Sequence, residues 1–416
     1  MYLLINSKLL LKQMKKYIFF IRHHNDWDNI APIIYFLGKK TQSNIYVCFY
    51  RTDLRHTELF IYLEKELKER IKFYFWKNSK INIFVNFLKL LINKLISKLK
   101  LDLQIEQNIY ASEKTLINWL KNMELKNSEK IVVVFDRTLN AFVKKVKNHL
   151  KNKNTIFISC PHGSMTNVNR MMYTHEIKRE DQNFRLRHLK EFDFMIFTDY
   201  LEFEYNRKYG LQNKQNSINK NKLKVLGSLR YSPEWLEHVD KFSHSIIDKK
   251  NRIKAVFFMK KFVHNVFVDE VLRTFEIFAS YPNIDFYIVP HTRGMKFSMK
   301  KNYSNIYINQ NLSSASLIKM ADVIFFYGGT SIVIEPLVRK KLLACIDYLD
   351  CNVNIFDKYK ACHVLRCRDD LYYFLDTFME NKAEILNGNE LVNELVHGRD
   401  ATKPVNEKYV EFFKNV

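Results

Sequence analysis

Short, uninterrupted apolar runs recur along this chain, each followed by a segment of helical periodicity, and this alternation restricts the fold more than any other feature. In the first half, Tyr17–Ile21, Asn44–Tyr50, Ile131–Phe135, Thr155–Ser159 and Phe192–Thr198 read as strands. Helices are expected at Ile30–Leu37, Glu58–Ile71, Leu139–Leu150 and Tyr200–Tyr209. A short strand at Lys224–Leu226 closes the first half, and the second repeats the style with strands at Lys254–Met259, Asp285–Val289, Ile306–Ile308, Val323–Tyr327 and Leu342–Ile346. Its helices are expected at Val268–Ser280, Ser313–Met320 and Ile332–Arg339, with terminal helices at Asp369–Met379 and Lys408–Phe413. A strand apolar on both faces has to be covered on both, and helices between successive strands supply that cover, so parallel sheets follow.

The chain has 416 residues, enough for two or three domains with full cores. Two α/β halves account for the pattern, with no internal repeat. The division reads as an N-terminal domain over 1–226, a second domain over 227–395, and a C-terminal helix over 396–416 that packs back on the first. The Asn/Lys-rich stretch Leu211–Leu223 is expected to be a surface loop. Ile81–Leu101 interrupts the first half with a run of Ile, Leu, Val and Phe carrying Lys89, Lys94, Lys98 and Lys100. As a helix it is a basic amphipathic element suited to an anionic membrane face, or a core-facing helix with solvated lysines.

At 47% hydrophobic and 27% charged the chain is globular, which excludes disordered and fibrous classes. Lys and Arg number 67 against 44 Asp and Glu, a net charge of +23. Such a field favours anionic partners. Lys, Asn, Ile and Phe are enriched together, however, as AT-rich coding produces. The basic residues are spread along the chain without a nucleic-acid-binding signature, so no nucleic-acid partner is expected. Six cysteines without a CxxC are too few for a disulfide framework, and the spacing of Cys345, Cys351, Cys362, His363 and Cys367 fits no standard zinc site. Reduced thiols and a cytoplasmic location are expected. Met1–Leu11 is apolar but short and runs into Lys12–Lys16, unlike a secretory signal. No apolar run reaches the length of a spanning helix.

Glycine is the most informative residue because it is scarce: nine occur, where average usage gives roughly 29. Gly163, Gly227, Gly294 and the pair Gly328–Gly329 each follow a strand end, and Pro161, Pro233, Pro290 and Pro336 accompany them. Ligands of open α/β sheets bind at the carboxyl ends of strands, so these positions mark a cleft.

Cys160-Pro161-His162-Gly163-Ser164 presents an imidazole at a strand end, a general-base candidate or a structural turn histidine. His291-Thr292-Arg293-Gly294 joins an imidazole and a guanidinium on one loop, a pairing suited to phosphate. Gly328-Gly329-Thr330-Ser331 offers amides and hydroxyls at a helix start. Glu335 then stands as a ribose acceptor or a dipole-compensating acid. Gly227-Ser228-Leu229-Arg230 adds a further cation. In Arg22–Asp28, Asp26 and Asp28 have DxD spacing. Asp28 is expected to cap the following helix, no metal is expected, and His24 and Asn25 line an acceptor cleft.

Taken in order, these clusters resemble the CDP-glycerol glycerophosphotransferase family, of the teichoic-acid polymerase type, within the wider GT-B group of transferases. The resemblance lies in His162-Gly163-Ser164-Met165, Phe194–Tyr209, Gly227-Ser228-Leu229-Arg230, His291-Thr292-Arg293, and Gly328-Gly329-Thr330-Ser331 with Glu335, and spans Val133 to Tyr348. It implies a GT-B-like fold of two Rossmann-like α/β/α domains facing a central cleft. It also implies a transferase moving a glycerol-phosphate or sugar unit from a nucleotide-activated donor to a glycan or lipid-linked acceptor, without bound metal or cofactor. His162 would be the base, with Gly163 and Ser164 on the acceptor side. Arg230, His291, Arg293, Gly329, Thr330 and Ser331 would hold the donor phosphates, and Glu335 the ribose. Leu229 and Thr292 replace the family's prolines, and Gly328-Gly329 replaces an Asp-Tyr. The donor is therefore open between CDP- or CMP-linked and UDP-linked units, and a sugar-nucleotide epimerase of the same architecture is the alternative.

Overall fold

The computed structural model describes residues 15–50, 53–75, 113–125, 129–136, 140–164, 166, 190–204, 220–243, 252–262, 265–291, 299, 301–309, 312–351 and 353–416. The amphipathic stretch 81–101, Arg293 and Gly294 lie outside these. Seven strands form the first sheet: β1 (Lys16–Ile21), β2 (Asn44–Phe49), β3 (Ile71–Phe75), β4 (Ile131–Asp136), β5 (Thr155–Cys160), β6 (Phe194–Phe197) and β7 (Leu223–Val225), in the order β3-β2-β1-β4-β5-β6-β7. Six form the second: β8 (Ile253–Phe258), β9 (Ile284–Val289), β10 (Ile306–Ile308), β11 (Val323–Phe326), β12 (Leu342–Ile346) and β13 (His363–Leu365), in the order β10-β9-β8-β11-β12-β13. Every pairing within them is parallel.

The sequence pattern shows why. Alternate residues of β1 feed opposite faces. Tyr17, Phe19 and Ile21 pack with the helices His24–Lys40, Glu58–Leu67 and Val405–Asn415, while Ile18 and Phe20 pack under Glu113–Lys121 and Asn140–His149. In β8, Ala255 and Phe257 face the helices Val268–Ala279 and Arg368–Met379. Val256 and Phe258 face Ser314–Met320, Ile334–Val338 and Asn389–Leu395. Among the described residues, helices thus cover both faces at the centre of each sheet, which is what a parallel sheet requires.

Several expectations change in detail. The first helix begins at His24, not Ile30, so Asp28 lies inside it and is not its cap. Asp26 takes the capping role: its Oδ2 accepts from the Arg22 and His23 amides at 3.1 and 2.9 Å. The expected helix Glu58–Ile71 ends at Leu67, because Ile71 opens β3, a strand hidden by Lys72 at its second position. β13 and the helix Asn389–Leu395 were also not legible, being short and interrupted by polar residues.

At the junction of the halves the segments around Gly227 and Gly398 touch. Gly227 has φ +94°, and a Cβ there would run into the Val396 carbonyl. Gly398 has φ +59°, and a Cβ there would sit 3.3 Å from the Gly227 amide nitrogen. The Ser228 amide donates to the Val396 carbonyl at 2.8 Å. After Gly227 the helix Pro233–Phe242 returns to the first core through Trp235, Leu236 and Val239 before the chain enters β8. The last helix, Val405–Asn415, also closes on the first core: Tyr17 Oη donates to the Phe413 carbonyl at 2.8 Å.

Candidate functional site

Both sheets reverse their winding direction once, between β1 and β4 and between β8 and β11. Loops leaving adjacent strands there diverge, and the crevice between them is the natural ligand site. The two crevices carry the polar groups of the site.

In the first, Asp136 ends β4 and His162 follows β5 two residues on. Asp26 enters from the first turn of the helix His24–Lys40. His162 Nδ1 lies 3.1 and 3.0 Å from the two oxygens of Asp136 and 3.2 Å from Asp26 Oδ1. Both carboxylates are buried, whereas the imidazole side chain keeps 19% of its surface. Two asparagines hold the loop: Asn25 Nδ2 donates to the His162 carbonyl, and Asn29 Nδ2 donates to it at 3.1 Å. Nδ1 is the nitrogen turned to the acids, which distinguishes it from Nε2.

Charge in this buried cluster is strongly coupled. Burial alone would lower the His162 pKa, but the Asp136 and Asp26 carboxylates outweigh it and raise the imidazole to about 9. Burial and the neighbouring Asp26 charge push Asp136 up to about 7. For Asp26, burial works upward but hydrogen bonding to His162 and Asp136 prevails and holds it well below the usual carboxylate range. Among the described residues this is the group of three or more His, Cys, Asp and Glu whose ligand atoms converge, within 4.8 Å of one another, closely enough to surround a small cation. The cysteine set around Cys362 does not converge in that way among the described residues, and Cys345 and Cys362 are buried free thiols.

The second crevice contains Gly328-Gly329-Thr330-Ser331, after β11. Gly328 has φ +62°, and a Cβ there would meet Asp350 Oδ2 and lie 2.7 Å from Lys260 Nζ. Only glycine serves, for conformation and for space. Beneath it Lys260, just past β8, pairs with Asp350 at 3.0 Å, with side chains 4% and 1% exposed. Tyr327 Oη donates to the Lys260 carbonyl at 3.0 Å.

The two crevices face each other. A Cβ on Gly163 would lie 3.6 Å from Ser331 Oγ, so the turn carrying His162 abuts the loop of the opposite half. The Ile355 amide donates to the Thr166 carbonyl at 3.1 Å across the same junction. Arg230 stands between the halves, its Nη1 donating to Asn25 Oδ1 at 3.0 Å and its Nη2 3.1 Å from Asp28 Oδ2.

The sequence-predicted residues thus divide. His162, Asn25, Gly163 and Arg230 meet at one junction, with Thr330 and Ser331 opposite. Glu335 is buried and its Oε1 accepts from Arg339 Nε at 2.9 Å, while Arg339 also grips Asp240. Burial raises the Glu335 carboxyl against that cation. His24 points to an exposed pair with Asp53 at 3.3 Å, and Ser164 Oγ is buried without a hydrogen-bond partner among the described atoms. His291 is half-buried after β9. Sequence reasoning missed Asp136, Lys260 and Asp350. An acid closing the apolar strand IVVVFD was the available signal for Asp136, but nothing local marks the Lys260–Asp350 pair, whose members are 90 residues apart.

No protein-family model matches this chain, and no curated protein matches it. Solved structures do resemble it. A UDP-N-acetylglucosamine 2-epimerase superposes with a TM-score of 0.55 at 10% identity, covering 97% of this chain and 96% of that one. The UDP-GlcNAc 2-epimerase of Neisseria meningitidis bound to UDP-GlcNAc gives 0.53 at 12% identity, covering 96% and 100%. A wall teichoic acid polymerase structure gives 0.50 at 12% identity, covering 97% and 88%. In architecture the chain is therefore a GT-B fold, two doubly wound α/β domains facing a central cleft.

Proposed function

We propose that this protein is an enzyme of nucleotide-activated substrates. On this reading it transfers a glycerol-phosphate or sugar unit from a CDP-, CMP- or UDP-linked donor to a hydroxyl of a surface glycan or lipid-linked acceptor. The observation that carries the reading is the apposition of His162, oriented by Asp136, to the Gly328–Ser331 loop across the cleft. Structural resemblance to proteins crystallised with UDP-GlcNAc and CDP-glycerol supports a nucleotide donor.

The chemistry follows from the residues. The acceptor hydroxyl gives its proton to His162 Nε2 as its oxygen attacks the donor's transferred centre, and the nucleotide leaves with the bond's electron pair. Charge growing on the leaving phosphate meets the amides and hydroxyls of residues 328–331, and the resemblance adds His291 and Arg293 as further phosphate ligands. Asp136 orients the imidazole through Nδ1, so that Nε2 is the nitrogen turned away from the acids.

A second reading has its own support. Two carboxyl groups and an imidazole in one cluster also suit removal and return of a proton on a bound nucleotide sugar, as an epimerase requires, and two of the solved structures described above are epimerases. Thermal-shift titration with CDP, CMP, UDP, GDP and ADP, on wild type and Arg293→Ala, tests the shared premise, since a ligand of the folded state raises its melting temperature. Selective stabilisation lost in the variant is expected, and no shift with any nucleotide would remove the donor-site assignment. Product formation only when an acceptor hydroxyl is present selects the transferase, and isomerisation of donor alone selects the epimerase.

A further inference from the structure

Three groups meet behind the reactive nitrogen of His162, and their hydrogen bonds do not close without another proton. Nδ1 carries one hydrogen, and both Asp136 oxygens lie within 3.1 Å of it. Asp26 Oδ2 is used by the Arg22 and His23 amides. Asp26 Oδ1, wholly buried and 3.2 Å from Nδ1, has no donor of its own, because the one Nδ1 hydrogen is already directed at the two Asp136 oxygens. A buried carboxylate oxygen without a donor, beside a second buried carboxyl group, is a costly arrangement. Two such groups in contact cannot both ionise freely.

We propose that Asp26 and Asp136 share one proton, carried on Asp136 and donated to Asp26 Oδ1, so that the pair presents a single negative charge to His162. Asp26 is then a positioning residue as well as a helix cap: its Oδ2 starts the helix and its Oδ1 fixes the charge state behind the imidazole. The direction of the Asp136 shift, upward through burial and the Asp26 charge, is what sharing requires. The other titratable group in this contact is His162, with His23 contributing to the field at Asp26. The consequence is a cluster that titrates as a unit, in two macroscopic steps belonging to the carboxyl pair and the imidazole, not as independent residues. This deepens the reading of His162 as the proton-transfer residue and rests on it only for the kinetic arm of the test.

Infrared difference spectroscopy on the full chain provides the first arm. Wild type at neutral pH is expected to show a protonated-carboxyl carbonyl band that Asp26→Asn and Asp136→Asn each abolish. In Asp26→Asn the amide oxygen still accepts the Arg22 and His23 amides, so the helix cap survives. The second arm is the pH dependence of turnover with saturating donor, where wild type is expected to show two ionisations and Asp26→Asn one. Absence of the band in wild type overturns the proposal whatever the variants do. A Mn²⁺- or Zn²⁺-induced rise in melting temperature, abolished by Asp26→Asn and accompanied by no band, overturns it in favour of a cation in the proton's place. The infrared arm needs no turnover, so failure of the nucleotide reading leaves it intact.

Discussion

Replacing Lys260 with methionine isolates the element beneath the Gly328–Ser331 loop. The ammonium and the Asp350 carboxylate are 3.0 Å apart with 4% and 1% of their side-chain surface exposed. At that distance, and at an effective dielectric of about 20, their attraction is about 5 to 6 kcal/mol, most of it offset by the cost of burying both charges. Removing the ammonium takes from the buried carboxylate its ion-pair partner, at a cost of about 3–5 kcal/mol. Lys260→Met should therefore lose about that much stability in the C-terminal half, whereas Lys260→Met/Asp350→Leu should recover a large part of it. Of the four tryptophans, 27, 119 and 235 pack on the first sheet, and Trp76 lies outside the described residues. The assay is consequently hydrogen exchange resolved on peptides of β8, β11 and β12, with far-ultraviolet circular dichroism in urea, in place of tryptophan fluorescence. A single variant within about 1 kcal/mol of wild type, or a double variant as damaged as the sum of the singles, would refute the reasoning that the pair is a desolvated, mutually dependent unit.

With its imidazole raised to about 9 by two carboxylates acting against burial, His162 is mostly protonated at neutral pH. If it acts as the base, turnover should rise about tenfold per pH unit along its last limb, above the ionisation of the carboxyl pair, and level off near pH 9, and His162→Ala should abolish it while nucleotide binding persists. A rate that falls over the same range would assign it the acid's role. Because folding raises this pKa from 6.5 to about 9, the stability it confers is complete below about pH 6.5 and lost as pH rises through 9. That amounts to about 3 kcal/mol at 1.36 kcal/mol per tenfold change in proton affinity, readable as the difference between wild type and His162→Ala in urea melts at pH 6 and pH 9.5. Ending the chain at Pro404 removes Val405, Tyr409, Val410 and Phe413, all buried. At about 1.5–3 kcal/mol each, the loss is about 6–12 kcal/mol from the N-terminal half, and the truncated chain should be recovered insoluble or melt at least about 10 °C lower. A soluble truncation of unchanged melting temperature would show that this helix does not complete the first core.

Much of this architecture is already written in one dimension. Runs such as YIFFI and IVVVF are apolar on both faces, and no arrangement but a doubly covered parallel sheet buries them. Strand–helix alternation, two halves and a cleft at strand ends are thus determined by local sequence. The scarce glycines similarly identify the Gly328–Gly329 turn and the turn after His162. The sequence could not show β3, where Lys72 breaks the apolar run, nor the start of the first helix at His24, since polar residues before Ile30 look like loop until Asp26 is seen closing back on the Arg22 and His23 amides. Nor could it pair residues whose separation along the chain carries no periodic signal. His162 is 26 residues from Asp136 and 136 from Asp26, so that cluster exists only because β1, β4 and β5 are neighbours in the sheet. Lys260 and Asp350 meet across 90 residues for the same kind of reason. Sequence fixes which faces must be buried because burial follows local periodicity. The charge state of a site is decided by which charges share one low-dielectric space, and that is settled only when the strands take their order.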